Sequence, residues 1–481
     1  MSLRQNHAIG ACPLALGRRE FLMATGILAA THQLAVPEFA SSLFAGETPA
    51  GDRPRIRVLF FRPDASSYWM SWPGAAYDPE ASQREYIDTL TAAARELDVQ
   101  LDINPLPLHE SESIDRELQL LSQNPPSGLI VTVMHLQAWP RVDCLLKERG
   151  DIPAIAFAPL GTSLPSRTGK LRGLPKTFVA STPDHQWLAT GVRMLNAAFA
   201  LPHTRICIVS DAAKGDRQIG KIGTTMHYVP LSRWIDEFGR TEVTEEVREI
   251  AKSYAIEAGD IVEPEMEDLL QAARNYVVAR RVMKAERCQG ISVDCAQLVG
   301  EQHVACGPCL AWSKLLDQGL VGGCEADADA AVSLLLAMRL FDRPGFMQDA
   351  AVNTVNNTLV ASHCTCATKL AGYDQPAVPY RLRSHFESNT GVAMQVQWPV
   401  GQEVTLLKYQ RPDAVLCGTG RVRDNVHVPF AGGCRTAVEI EMDDVADARD
   451  VKGHHQVVVC GKFDNTLKAY CELSDLRLVH I

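Results

Sequence analysis

At 481 residues, with 46% hydrophobic and 22% charged content, the chain is too long for one ordinary core and has the balance of a water-soluble protein of about two or three domains. Its formal charge is −10, an acidic surplus that argues against an electrostatic grip on nucleic acid or anionic membrane.

Residues 1–45 stand apart. Gly17-Arg18-Arg19-Glu20-Phe21-Leu22-Met23 precedes a mildly apolar run, a pattern that resembles a twin-arginine export signal. His32, Gln33 and Pro37 make that run a poor membrane span. The expectation is a periplasmic or extracellular protein, with no membrane association once the signal is removed. The segment carries three Arg and two Glu, so the remainder sits at −11 and is still acidic.

Residues 46–54 read as a polar linker, and 55–61 (Arg-Ile-Arg-Val-Leu-Phe-Phe) as a buried strand. Helical periodicity at 82–97 and 111–121 alternates with apolar strand runs at 99–103, 128–133 and 154–157. Strands spaced by helices of this length predict a parallel, doubly wound sheet covered on both faces. A Gly/Pro/Ser-rich passage at 159–175 is the expected boundary, which places an N-terminal α/β domain at 55–165. A second α/β domain at 166–343 follows, with helices at 184–198, 263–287 and 325–340 and strands at 205–209 and 290–294.

Beyond Arg343-Pro344-Gly345 the period changes. Val392, Met394, Val396 and Trp398 alternate with Ala393, Gln395 and Gln397, and further strands are predicted at 403–409, 413–418, 435–442 and 456–460. Residues 344–481 therefore read as a mostly antiparallel β-rich, barrel-like domain with one helix at 465–473. The fold class is α/β: two doubly wound α/β domains and then a β-rich one.

Three residues stand out chemically. Glu325 lies in Cys324-Glu325-Ala326-Asp327 at a predicted helix start, where an anion is favoured, although Asp327 and Asp329 would equally make a solvated first turn. The Gly322-Gly323 approach lets backbone pack closely where a side chain must enter a cleft. Asp349 follows a Pro-Gly turn at the end of a short predicted strand, placed either for a pocket or as a turn cap. His454 and His455 precede the buried run Val457-Val458-Val459-Cys460, so that one ring could bind metal and the other orient or touch substrate. Two carboxylates and an imidazole suit Mn²⁺, Mg²⁺ or Fe²⁺ better than a thiophilic ion.

Gly-x-Cys-Glu-Ala-Asp at 322–327, Arg-Pro-Gly-Phe-Met-x-Asp at 343–349 and His-x5-Gly at 455–461 resemble the L-fucose isomerase and L-arabinose isomerase superfamily. The likeness covers roughly residues 285–475, including Asp294-Cys295 and Pro308-Cys309-Leu310-Ala311. It implies two Rossmann-like domains before the β-rich one, and a Mn²⁺ site at their junction with Glu325, Asp349 and His455 as ligands. It also implies a homo-oligomer, trimer or hexamer, acting on a monosaccharide. Aldose and ketose interconvert by moving a proton between C1 and C2 through an ene-diol. Glu325 and Asp349 are the expected acid–base pair, with their order open. His363 reads as a fourth ligand or a substrate contact, and His385 and Glu387 as weaker sugar contacts. Lys462 stands where many relatives have aspartate. The competing reading is an exported, non-catalytic carbohydrate-binding protein on the same fold.

Cys12 falls in the signal, and the remaining cysteines are an odd-numbered set, mostly dispersed, which argues against a fully paired disulfide framework. Cys207, Cys417 and Cys460 read as small core residues. Cys306-Gly307-Pro308-Cys309 and Cys364-Thr365-Cys366 give no second CxxC, so a structural zinc site is not expected from them.

Overall fold

The computed structural model describes residues 53–481 apart from 65–67, 70–75, 302, 305, 387–388 and 427–433. The export signal and Glu387 therefore lie outside the described residues.

Among the described residues the first element is the strand Arg55–Phe61, at the interior of a five-stranded parallel sheet in the order Gln100–Pro107, Arg55–Phe61, Gly128–Val133, Ala154–Ala158, Thr177–Ser181. Alternate residues of its first strand face opposite ways, as a pleated strand requires. Ile56, Val58 and Phe60 pack with Tyr86, Leu90, Leu188 and Val192, whereas Leu59 and Phe61 pack with Ile114, Leu121, Trp139 and Val142. Helices thus cover both faces. The helix Pro79–Glu96 starts where Asp78 accepts hydrogen bonds from the Glu80 and Ala81 amides, with proline at its first position.

Because Thr177–Ser181 completes this sheet, the Gly/Pro/Ser-rich passage at 159–175 joins two neighbouring strands of one sheet. A turn-rich composition marks a loop; whether the loop leaves the sheet depends on where the next strand pairs.

A second five-stranded sheet has the order Val321–Cys324, Gly290–Val293, Arg205–Val209, Thr225–Val229, Gly215–Gln218, parallel except at its last strand. At its other edge the glycines of Val321-Gly322-Gly323-Cys324 are needed for packing. A Cβ on Gly322 would meet the Trp312 Cα at 2.8 Å, and one on Gly323 would meet the Ser292 Cβ at 3.0 Å.

The last third closes into a six-stranded antiparallel barrel: Glu403–Gln410, Gln456–Cys460, Phe346–Asn353, Thr358–His363, Thr436–Met442 and Ala414–Asn425, with the last pairing back to the first. The expected β-rich domain is thus a closed barrel. Between it and the second sheet runs the helix Ala328–Phe341, buried along most of its length, with Val332, Leu335 and Leu336 in the core that continues across the junction. This helix is the pillar that packs the barrel against the second sheet.

Candidate metal centre

Glu325 directly follows the edge strand Val321–Cys324, at the carboxyl end of the parallel strands where ligands collect in open α/β sheets. It does not open the following helix, as its position among acidic residues had suggested. Glu325 and Ala326 adopt left-handed φ values of 59° and 52°, and the helix begins at Ala328 with Asp327 as its cap, accepting from the Ala330 amide at 2.9 Å. The dipole argument therefore belongs to Asp327. Glu325 is instead swung off the sheet into the junction by a backbone conformation that costs energy for a non-glycine residue.

Asp349 lies within the barrel strand Phe346–Asn353, opposite Ser362, and not at a strand end. His363 ends the adjacent strand Thr358–His363. His455 precedes Gln456–Cys460 and also has a left-handed φ, 53°. Four separate segments thus bring one donor atom each from Glu325, Asp349, His363 and His455 to within 4.8 Å of one another. The rings of His363 and His455 are buried (3% and 4% exposed) and meet edge to face, whereas both carboxylates reach toward an open cavity of about 810 Å³.

His455 is the centre of the arrangement. Its Nδ1 hydrogen-bonds the Asp327 carboxylate at 2.8 Å, which orients the ring, and Asp327 is also 3.5 Å from Lys408 Nζ. Its Nε2 lies 3.2 Å from Glu325 Oε2 and 3.2 Å from Asp349 Oδ1, yet has hydrogen-bond geometry to neither. A buried nitrogen aimed between two carboxylates without bonding either is what a shared cation placed among them would leave. His363 Nε2 is 3.5 Å from Glu325 Oε1, and its Nδ1 is held by the Thr365 hydroxyl at 3.1 Å. The residues present therefore fit a metal ion, with a carboxylate-oriented imidazole as its buried anchor.

The electrostatics agree. His363 and then His455 hold Glu325 well below the usual carboxylate range, against burial. His455 also lowers Asp349, against burial. Burial pushes Asp327 upward, but His455, the Ala330 amide and Lys408 bring it down to about 2. For His455, burial opposes the charged ring, but Asp327, Asp349 and Glu325 outweigh it and raise the imidazole to about 11. Without a cation, this pocket holds a proton in its place.

The remaining site expectations divide. His454 stacks on His455 with centroids 3.8 Å apart and places Nδ1 3.6 Å from Asp349 Oδ1, exposed and free to meet a ligand. His385 lines the cavity, but its ring joins Cys309 and Cys364 and not the carboxylates. Asp327 is the residue sequence reasoning undervalued: it reads as one more first-turn acid until His455, 128 positions away, is seen to lean on it.

No family model and no curated protein matches the chain.

Proposed function

We propose that the protein is a divalent-metal-dependent aldose–ketose isomerase acting on a pentose or deoxyhexose, related to the L-fucose and L-arabinose isomerases. The observation that carries this reading is the convergence of Glu325, Asp349, His363 and His455, the first three of which line a cavity roomy enough for a monosaccharide. The motifs at 322–327, 343–349 and 455–461 supply three of these four residues. In this reading the two parallel sheets are the Rossmann-like pair of that superfamily, the chain is exported by the twin-arginine route, and it works as a homo-oligomer.

Two carboxylates and two imidazoles form an oxygen and nitrogen donor set, which suits Mn²⁺, with Mg²⁺ or Fe²⁺ as substitutes. When bound there, the ion would supply charge stabilisation for the sugar's C1 and C2 oxygens as negative charge develops on them. The chain's own groups handle the protons. Glu325 and Asp349 are held ionised by the neighbouring rings, so one can accept the proton leaving C2 and return it at C1 while the other carries the hydroxyl proton from O2 to O1. Exposed His454, stacked at the rim, is placed to bond a sugar hydroxyl. Binding alone does not call for two acids beside an oriented imidazole, which favours the enzyme over the carbohydrate-binding reading.

The test is conversion of candidate aldoses to ketoses by the Mn²⁺-loaded protein, with a chelated sample alongside. Turnover on at least one pentose or deoxyhexose that disappears on chelation supports the reading; metal-loaded protein inert across the panel would return it to the binding alternative.

A further inference from the structure

The same cavity wall carries a second donor set of opposite chemical character. Cys309 opens the helix Cys309–Asp317, Cys364 immediately follows the strand that ends in His363, and His385 lies in the turn after the strand Tyr380–Arg383. One donor atom from each of these three lies within 4.8 Å of the others. Cys434, just before the barrel strand Thr436–Met442, packs on Cys309 and Cys364 and is within hydrogen-bonding reach of the Cys364 thiol. All four also line the cavity.

Packing alone does not call for this. Cys366, Cys417 and Cys471 are buried as small apolar residues elsewhere in the core, each apart from this group. Here the thiols of Cys309 and Cys364 meet one imidazole, and a third thiol, Cys434, packs on those two, with no carboxylate in the set.

The loops that deliver them are tied together. Arg435, 1% exposed, donates through Nε to the Ser384 carbonyl at 2.8 Å and through an Nη to the Ser384 hydroxyl at 3.0 Å. That ties the segment bearing Cys434 to the one bearing His385. The turn bearing His385 is closed by its own amide to the Thr390 carbonyl at 3.0 Å, and by the Asn389 amide to the His385 carbonyl at 2.9 Å. Glu263 anchors the preceding strand end through Arg383 at 2.6 Å and the Ser384 amide at 3.1 Å.

We infer that Cys309, Cys364, Cys434 and His385 form a second metal site, selective for a thiophilic divalent ion such as Zn²⁺. Three sulfurs and one nitrogen are the donor set of closed tetrahedral zinc sites. A tetrahedral ion with bonds of about 2.0–2.3 Å holds its ligand atoms within ~3.8 Å of one another, so Cys309, Cys364 and His385 close by about 1 Å at most, and Cys434, beside Cys364, swings in as the fourth ligand. The thiols lose their protons to solvent as the ion binds. Soft sulfur here and carboxylate oxygen next door prefer different ions, so one pocket sorts two metals. The zinc fixes His385 and the start of strand Thr436–Met442 as cavity wall. Because His363 and Cys364 are consecutive, it also fixes the strand end that presents His363 to the first site. The CxxC and CxC pairs contribute one cysteine each, which is why neither reads as a zinc motif by spacing.

The experiment uses the full chain, purified under reducing conditions, with Co²⁺ alone as the spectroscopic probe and elemental analysis for zinc. The expected result is a thiolate-to-cobalt charge-transfer band with strong visible bands of tetrahedral Co²⁺, abolished by Zn²⁺. The band persists in Glu325→Gln and in Cys366→Ser, and is lost in Cys309→Ser and Cys434→Ser. The half-buried His385→Gln, checked for native circular dichroism, retains the thiolate band but shifts the visible bands and loses zinc at least tenfold more readily to a chelator. Weak, octahedral-type cobalt bands in the wild type would overturn the assignment, as would zinc retention unaffected by His385→Gln. A Cys309–Cys364 disulfide in the freshly purified protein, found by mass analysis, would overturn it in favour of a redox pair.

Discussion

His455 and Asp327 form a carboxylate–imidazole pair across the junction between helix and barrel, 2.8 Å from Nδ1 to Oδ2. The pair fixes which ring nitrogen faces Glu325 and Asp349, and so makes the ring a directed donor. Asp327 does this while its other oxygen caps the pillar helix through the Ala330 amide. One side chain therefore couples the helix start to the metal centre.

Replacing that carboxylate separates its two roles. Asp327→Asn keeps a side-chain oxygen for the cap, since asparagine caps helices as well as aspartate, but removes the negative charge behind His455. Mn²⁺ affinity should fall by about 10–100-fold, with a thermal midpoint close to wild type. Titration calorimetry and a melting curve on the same variant check both halves; undiminished affinity would show that the pair does not orient the ligand.

The proton that His455 holds makes metal binding depend on pH. Its value rises from 6.5 to about 11 in the folded protein, so at neutral pH the metal-free ring is charged and must release a proton when the ion enters. Affinity should increase by about tenfold per pH unit from pH 7 to 9. Calorimetry in buffers of different ionisation enthalpy should count about one proton per ion.

Stability of the metal-free protein runs the other way. A group whose folded value is raised contributes stability that is complete below its unfolded value, here 6.5, and lost as pH climbs toward about 11. Chelated protein should therefore melt progressively lower from pH 7 to 10, while metal-loaded protein should change much less. Parallel melting curves across that range are the check.

Gly322 controls where Glu325 sits. A Cβ there would meet the Trp312 Cα at 2.8 Å and its carbonyl oxygen at 3.0 Å, and backbone cannot move aside cheaply. Gly322→Ala should destabilise by about 1–3 kcal/mol, read by denaturant unfolding, and should weaken metal binding because the edge strand that carries Glu325 shifts. Gly401→Ala, in a barrel turn with open space around its Cβ, tests the contrast: its cost comes from a φ of 84° alone and should leave the metal site intact.

Asp349→Asn should abolish turnover with the barrel unchanged, because the strand pairing of Phe346–Asn353 is made by backbone groups. Full activity in this variant, measured beside native circular dichroism, would remove Asp349 from the chemistry.

Much of this architecture was legible from the chain. The change of period after Pro344 marked a β-rich last third, but its clearest alternation, Val392 to Trp398, forms the strand Ala393–Val396 of a separate three-stranded sheet with Asp260–Ile261 and Tyr380–Arg383, buried on both faces and outside the barrel. Glu325, Asp349 and His455 stand out as a set through the resemblance of the motifs at 322–327, 343–349 and 455–461 to the isomerase superfamily; singly, each reads as readily as a cap, a turn residue or a core group. What escaped depends on tertiary approach or on backbone choices that residue type does not encode. Neither Glu325 nor Ala326 is a residue that favours positive φ, so the helix was expected one turn early. Asp349 was placed at a strand end because Ala350-Ala351-Val352-Asn353 alternates weakly, yet pairing with Thr358–His363 extends the strand. In the sequence His363 reads equally as a ligand or substrate contact and as part of a strand that merely lines the cleft; the fold puts it 3.5 Å from Glu325. The cysteine group was hidden for a further reason: its members come from four segments whose local spacing matches no metal motif.

The most direct test of the central claim is exchange of the C2 proton of candidate pentoses and deoxyhexoses with D₂O, followed by NMR on Mn²⁺-loaded protein of known metal content. The account predicts loss of the C2 proton signal of at least one aldose, absent in chelated protein and in Asp349→Asn. Metal bound in full at Glu325, Asp349, His363 and His455, with no exchange for any aldose in the panel, would contradict it.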